Sequence, residues 1–69
     1  MYQCRLQYLM MDAKIYSLKE CMQRTGLGYS TIAKLIYNEN LETVKMHSLQ
    51  AVCDCFHCRL SDLIEYIPD

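Results

Sequence analysis

Glycine and proline are scarce in this chain, with two of the first and one of the second in 69 residues. That leaves little punctuation between elements and no glycine-rich loop of the kind that cradles phosphates. No apolar run approaches the ~20 residues of a membrane span, so no membrane partner is expected. Arg5, Gln7 and Asp12 interrupt the apolar residues of the first segment, so a signal-peptide pattern is missing and a cytoplasmic location is expected. Internal repeats and low-complexity tracts are absent. Neither sign of charge predominates, the formal net charge being −1. What the chain does have is apolar content. At 52% it is enough for a packed core and argues against disorder. The length allows one domain, residues 1–69, whose stability margin is thin because a chain this short buries only ~60% of its unfolded surface.

Five cysteines invite a disulfide reading, but the count is odd and no export signal accompanies it. Reduced thiols packed as small hydrophobes are the expectation. Cys53, Cys55, His57 and Cys58 cluster as CDCFHC. Four ligands within six mostly helical residues point around the axis and do not converge on a tetrahedral ion, so no metal is assigned. His47 and His57 belong to no serine–carboxylate pattern, and Glu39 and Glu42 sit on an expected loop. No enzyme, no cofactor and no small-molecule ligand follow from these residues.

Apolar spacing is helical almost throughout, and five helices are expected with no substantial strand. The first, about Tyr2 to Asp12, sets Leu6, Leu9 and Met10 on one face. The second starts at Ser17, a good N-cap, with Glu20 three residues on to complete a capping box. It buries Leu18, Cys21 and Met22 and ends at Gly26, which takes a left-handed cap at little strain. The third opens at Gly28 and runs to about Tyr37 with Ile32, Leu35 and Ile36 apolar. Asn38 to Thr43 is a polar connection. A fourth helix, Met46 to Phe56, and a fifth, Leu60 to Tyr66, complete the order. The expected core is Leu6, Leu9, Leu18, Ile32, Leu35, Leu49, Val52, Phe56, Leu63 and Ile64.

Charge is unevenly placed along this order. Residues 1–37 carry Arg5, Lys14, Lys19, Arg24 and Lys34 against Asp12 and Glu20, a balance of +3. Residues 38–69 carry Lys45 and Arg59 against Glu39, Glu42, Asp54, Asp62, Glu65 and Asp69, a balance of −4. A basic front and an acidic back suit one face turned toward phosphate and another turned away.

The informative stretch is Leu18–Tyr37, LKECMQRTGLGYSTIAKLIY. Gly26 supplies a tight turn, Leu27 an apolar residue just after it, and Ile32 and Leu35 the aliphatics that lock a second helix onto a first. With the Leu6–Leu9–Met10 start, the capped Ser17-Leu18-Lys19-Glu20, the TGLGYSTIAKL phrase, SLQAVCDCFHC and the closing SDLIEYIP, the chain resembles the Cro and phage-repressor (XRE-like) helix-turn-helix family. The resemblance implies a compact five-helix, all-α, lambda-repressor-like DNA-binding domain with the helix-turn-helix at about 18–37. It implies a sequence-specific transcriptional regulator of double-stranded DNA, acting as a repressor and homodimer, that reads the major groove with helix 29–37.

By that resemblance, base contacts fall to Tyr29, Ser30, Thr31 and Lys34, and phosphate contacts to Ser17, Lys19, Tyr37, Asn38 and Lys45. Simpler roles stay open beside these. Ser30 and Thr31 suit helix capping, Tyr29 suits packing on a neighbour, and Lys34 suits plain solvation. The chain departs from the family at Cys21-Met22, where leucine then alanine is usual; the swap roughly conserves volume and implies repacking. Glu39 stands where a phosphate-facing lysine is usual, which weakens affinity, and Lys45 replaces a small capping residue. The alternative function is a protein-interaction module of the same fold, an antirepressor or antitoxin-like binder whose tyrosine-rich, nearly neutral surface meets another protein.

Overall fold

A computed structural model describes residues 1–68; Asp69, counted above with the acidic half, lies outside them. The order is β1 (Tyr2–Cys4), α1 (Leu6–Asp12), α2 (Leu18–Thr25), α3 (Tyr29–Tyr37), a 3-10 turn (Leu41–Thr43), α4 (Met46–Phe56), α5 (Leu60–Leu63) and β2 (Ile64–Tyr66). Among the described residues five α-helices therefore carry the fold. Two of them are shorter than the sequence implies. The first begins at Leu6 and not at Tyr2, and the fifth ends at Leu63 and not at Tyr66.

The residues released from those helices pair with each other. β1 and β2 run antiparallel with Tyr2 opposite Tyr66, Gln3 opposite Glu65 and Cys4 opposite Ile64. The ladder is extended by reciprocal Met1 and Ile67 bonds, Met1 N to Ile67 O at 2.8 Å and Ile67 N to Met1 O at 2.7 Å. Arg5 clamps its inner end, donating its N–H to Leu63 O at 2.7 Å and its guanidinium to Glu65 at 3.1 Å. A three-residue strand is too short to show two-residue alternation, so the apolar pattern there passes for the end of a helix. Aromatic and β-branched residues at Tyr2, Ile64 and Tyr66 are the sequence sign of it.

The core forms where the helices' apolar stripes meet. Leu6, Ile32, Leu35, Val52 and Leu63 are completely inaccessible, and Leu49 nearly so. Leu9, Leu18, Phe56 and Ile64 are half-buried around that centre. Five residues outside the expected core join it: Cys4, Met10, Ile15, Cys21 and Leu41. Met10 follows from its helical face. Ile15 and Leu41 come from connections. Ile15 N–H donates to Met10 O at 2.8 Å as the chain turns out of α1 through Lys14, at φ 59. Leu41 is the one aliphatic of the polar connection and drops into the core at the start of its 3-10 turn.

Five helix and turn ends explain the short connections. Gly26, Asn38, Asn40, Lys14 and His57 all take positive φ. His57 ends α4 where glycine is more usual, its N–H reaching Cys53 O, and Cys58 N–H reaches the same carbonyl at 3.1 Å. At α5, Asp62 accepts the Arg59 N–H at 3.1 Å.

All five cysteines are free thiols, Cys4 and Cys21 buried and Cys53, Cys55 and Cys58 half-buried. Burial pushes the Cys4 and Cys21 thiols up. Cys58 is pushed up to about 11, first by burial and then by Cys53 beside it.

Leu35→Ala opens a cavity at the centre of this core and is expected to cost ~2–5 kcal/mol, read by denaturant unfolding. A domain at the low end of the usual ~5–15 kcal/mol stability range would be brought to about half unfolded by the upper end of that cost. The thiols add a pH effect. Each folded value lies above the unfolded 9.0, so the unfolded chain releases its protons first. The thiols' contribution to stability is therefore level below pH ~9 and falls as pH rises from there toward ~11. Unfolding midpoints at pH 8 and pH 10 on the reduced protein test this, with Cys58→Ser giving a shallower fall.

Candidate nucleic-acid interface

Between α2 and α3 the chain turns in three residues, Gly26 to Gly28. Ser17 Oγ caps α2 by accepting the Glu20 N–H at 3.1 Å. The expected capping box is only half made, because the Glu20 carboxylate goes to Arg24 Nε at 3.4 Å, one turn on. At the other end, Thr25 Oγ1 donates to Cys21 O at 2.8 Å and accepts the Leu27 N–H at 3.3 Å. Gly26 sits at φ 77 with its N–H on Met22 O at 2.8 Å. A Cβ there would meet nothing within 4 Å, so glycine is required by the backbone angle and not by crowding.

The turn lays α3 on α2 through Ile32 and Leu35, with Cys21 fully buried. At 100° per residue, the opposite arc of α3 holds Tyr29, Ser30, Ala33, Lys34 and Tyr37. Tyr29 and Ser30 are exposed at its N-terminal end, and Tyr37 at its C-terminal end. Thr31 falls on the edge of the inner arc and is half-buried. Gly28 is the N-cap of α3, with no side chain to offer, and Ser30 and Thr31 lie inside the helix. Tyr29 is more than half exposed, so it is not packed away on a neighbour. Lys34 is half-buried, and its ammonium donates to Thr43 Oγ1 at 2.8 Å. Ala33, one turn from both Tyr29 and Tyr37, shares their face and was not expected there; its helical spacing is the signal that finds it.

The residues assigned to phosphate are more scattered. Ser17, Lys19, Tyr37 and Lys45 are exposed, Lys45 as the N-cap of α4. Asn38 has a structural task. It takes φ 57 as the cap of α3, and its Oδ1 accepts the Cys4 N–H of β1. Asparagine is the non-glycine residue best suited to that angle, and its side chain ties the sheet to the end of α3. Among the described residues, Arg5 and Arg24 are ion-paired, while Lys14, Lys19, Lys34 and Lys45 have no carboxylate within 4.0 Å. Also among the described residues, no group of three or more His, Cys, Asp and Glu side chains is placed to hold a metal ion, and no helix is long and apolar enough to cross a membrane.

A capped helix, a glycine turn and a second helix seated by two aliphatics with its outer face open form a helix-turn-helix. The family model of the Cro/C1-type HTH DNA-binding domain matches residues 5–69. The chain belongs to that family. Double-stranded DNA is thus its ligand class. No curated protein and no solved structure shows a significant match to the chain.

The Cro/C1-type assignment gives the Cys21-Met22 departure a physical meaning. The small residue that lets α3 approach α2 is Cys21, completely buried, while Met22 lies half-buried at the margin. Volume has moved between neighbours and the helix still seats. Glu39, the other departure, is exposed on the loop after α3.

Asn38→Ala removes the acceptor for Cys4 N–H and places a less tolerant residue at positive φ. It is expected to lower stability by ~1–3 kcal/mol, where Lys45→Ala stays within about 0.5 kcal/mol. Chemical denaturation of both variants checks this, and equal stabilities would remove the structural role of Asn38.

Proposed function

We propose that this single-domain chain, residues 1–69, is a transcriptional regulator, acting as a repressor, that reads double-stranded DNA sequence-specifically through the N-terminal end of α3. The observation that carries the reading is the exposed pair Tyr29 and Ser30 at the start of a helix locked from behind by Ile32 and Leu35. In helix-turn-helix proteins the first residues of the second helix meet base edges. A serine hydroxyl can donate or accept there, and a tyrosine ring can cover a thymine methyl. Lys19 and Lys45, exposed and with no carboxylate within 4.0 Å among the described residues, supply charge toward phosphates. The first amides of α2, beside Ser17, suit a further phosphate. Tyr37 flanks the backbone at the far end of the helix.

One such unit reads only a few base pairs, so we assign a homodimer. The exposed Tyr66 and Ile67, with the Tyr2 ring tilted against Tyr66 at a centroid distance of 5.2 Å, form an apolar end remote in sequence from α3 and suited to the two-fold contact.

A specific observation also favours the second reading, a protein-binding module. All six tyrosines are exposed, from 45% at Tyr2 to 78% at Tyr16. Aromatic surface of that kind is what protein interfaces are enriched in.

Selection from a random duplex library with the purified protein, at two salt concentrations, separates the readings. The DNA reading expects an enriched inverted repeat with half-sites about 34–36 Å apart. Lys19→Ala should weaken selected and scrambled duplexes equally and lower the salt slope by about one unit. Ser30→Ala should cost about 1–3 kcal/mol on the selected duplex alone. Absence of any enriched sequence would hand the surface to a protein partner.

A further inference from the structure

The lysine of α3 is held away from the helix end that faces bases. Lys34 Nζ donates to Thr43 Oγ1 at 2.8 Å, and Thr43 Oγ1 donates in turn to Asn40 O at 2.7 Å. The direction of the chain matters. With its one proton committed to Asn40, the Thr43 hydroxyl presents only lone pairs to the ammonium. The loop that carries it is firm. Asn40 takes a left-handed backbone at φ 51, its carbonyl also accepts the Thr43 N–H at 3.0 Å, and Leu41 anchors the turn in the core.

We propose that Thr43 is a positioning residue that directs Lys34 to a phosphate of the DNA backbone and withholds it from the bases. Three observations point the same way. The ammonium is bonded to Thr43 in the turn after α3 and, among the described residues, has no hydrogen bond to Tyr29 or Ser30. Its anchor is a neutral hydroxyl, and among the described residues no carboxylate lies within 4.0 Å of it to offset its charge. One N–H is used, leaving two for phosphate oxygens. Base discrimination then falls to uncharged groups, Tyr29, Ser30 and the Ala33 methyl. The inference rests on the DNA reading above and sharpens which contact each residue makes.

The test uses the full chain, the duplex enriched by selection, a scrambled duplex of equal composition, and variants Lys34→Ala, Thr43→Val, Thr43→Ser and the double Lys34→Ala/Thr43→Val. Lys34→Ala is expected to weaken both duplexes alike, by about eightfold at 0.1 M salt, the counterion-release value for one contact. The salt slope falls by about one unit and the ranking of base substitutions is unchanged. Thr43→Val alters affinity in the parent and has no further effect in the Lys34→Ala background, which a purely structural role of Thr43 would not produce. Thr43→Ser restores the parent values. A flattened preference at one or two base pairs in Lys34→Ala, with the salt slope intact, would overturn the proposal and make Lys34 a base reader. A readout without DNA stands beside these. The Lys34 ammonium signal of the free protein, sharpened by its hydrogen bond, is expected in the parent and Thr43→Ser and lost in Thr43→Val. An unchanged signal in Thr43→Val would sink the tether itself. Failure of the parent to bind any duplex overturns the DNA reading and the phosphate role with it, while the ammonium signal still reports on the tether.

Discussion

Burial of Ile32 and Leu35 against α2 sets the angle at which α3 stands, and the outer face depends on that angle. A helix of nine residues is too short to hold itself in water, so its shape and its pose both come from tertiary packing. Packing of that closeness demands a small residue on α2, and Cys21 provides it with complete burial. It also demands a tight exit from α2. Gly26 at φ 77 and the Thr25 hydroxyl, bonded to both Cys21 O and Leu27 N–H, make the exit. With the inner face committed, Tyr29, Ser30, Ala33 and Tyr37 have only the outer arc to occupy.

The sheet plays a second, quieter part. Antiparallel pairing of β1 with β2 joins the two ends of the described chain, and Asn38 couples that sheet to the end of α3. The loop after α3 is therefore fixed on both sides: Asn38 fastens to Cys4, and Leu41 plugs the core. Around Leu41, Asn40 and Thr43 close a hydrogen-bonded bracket on which a lysine from α3 can rest. Such a bracket would not survive in a loop held only at its ends, because ordering each residue costs ~1–2 kcal/mol of backbone entropy.

Helices α2, α3 and α4 were legible in the sequence because each carries more than one turn of apolar periodicity, and α2 a recognisable glycine stop. Gly26 was legible for the same reason that it is needed. The strands were not, since three residues contain barely one alternation and their apolar members continue the helical pattern of α1 and α5. Ile15 and Leu41 lie in connections, where periodicity has no voice and only their aliphatic character marks them for burial. On the outer face, Tyr29 and Ser30 follow from position alone. The engagement of Lys34 with Thr43 does not, because it depends on a left-handed Asn40 and a nine-residue separation that no spacing rule encodes. The half-made capping box is similar: Glu20 suits two partners, and only the packed helix shows that Arg24 takes it.

Charge is the remaining constraint, and it shapes how such a domain can hold a polyanion. With a net charge of −1, long-range attraction to DNA is weak, and Arg5 and Arg24 are neutralised by Glu65 and Glu20. Among the described residues five lysine and arginine side chains are left without a carboxylate partner, so each one's position carries more weight than in a strongly basic protein. A lysine left to wander loses side-chain entropy on docking, roughly 1.5–2 kcal/mol for a fully immobilised chain. A lysine already tied to Thr43 has surrendered part of that freedom in the free protein, and less is lost when it meets a phosphate. Pre-ordering of charge, combined with an aromatic and methyl-lined reading face, is how a nearly neutral helix-turn-helix can keep contact with its ligand while leaving selectivity to uncharged base contacts.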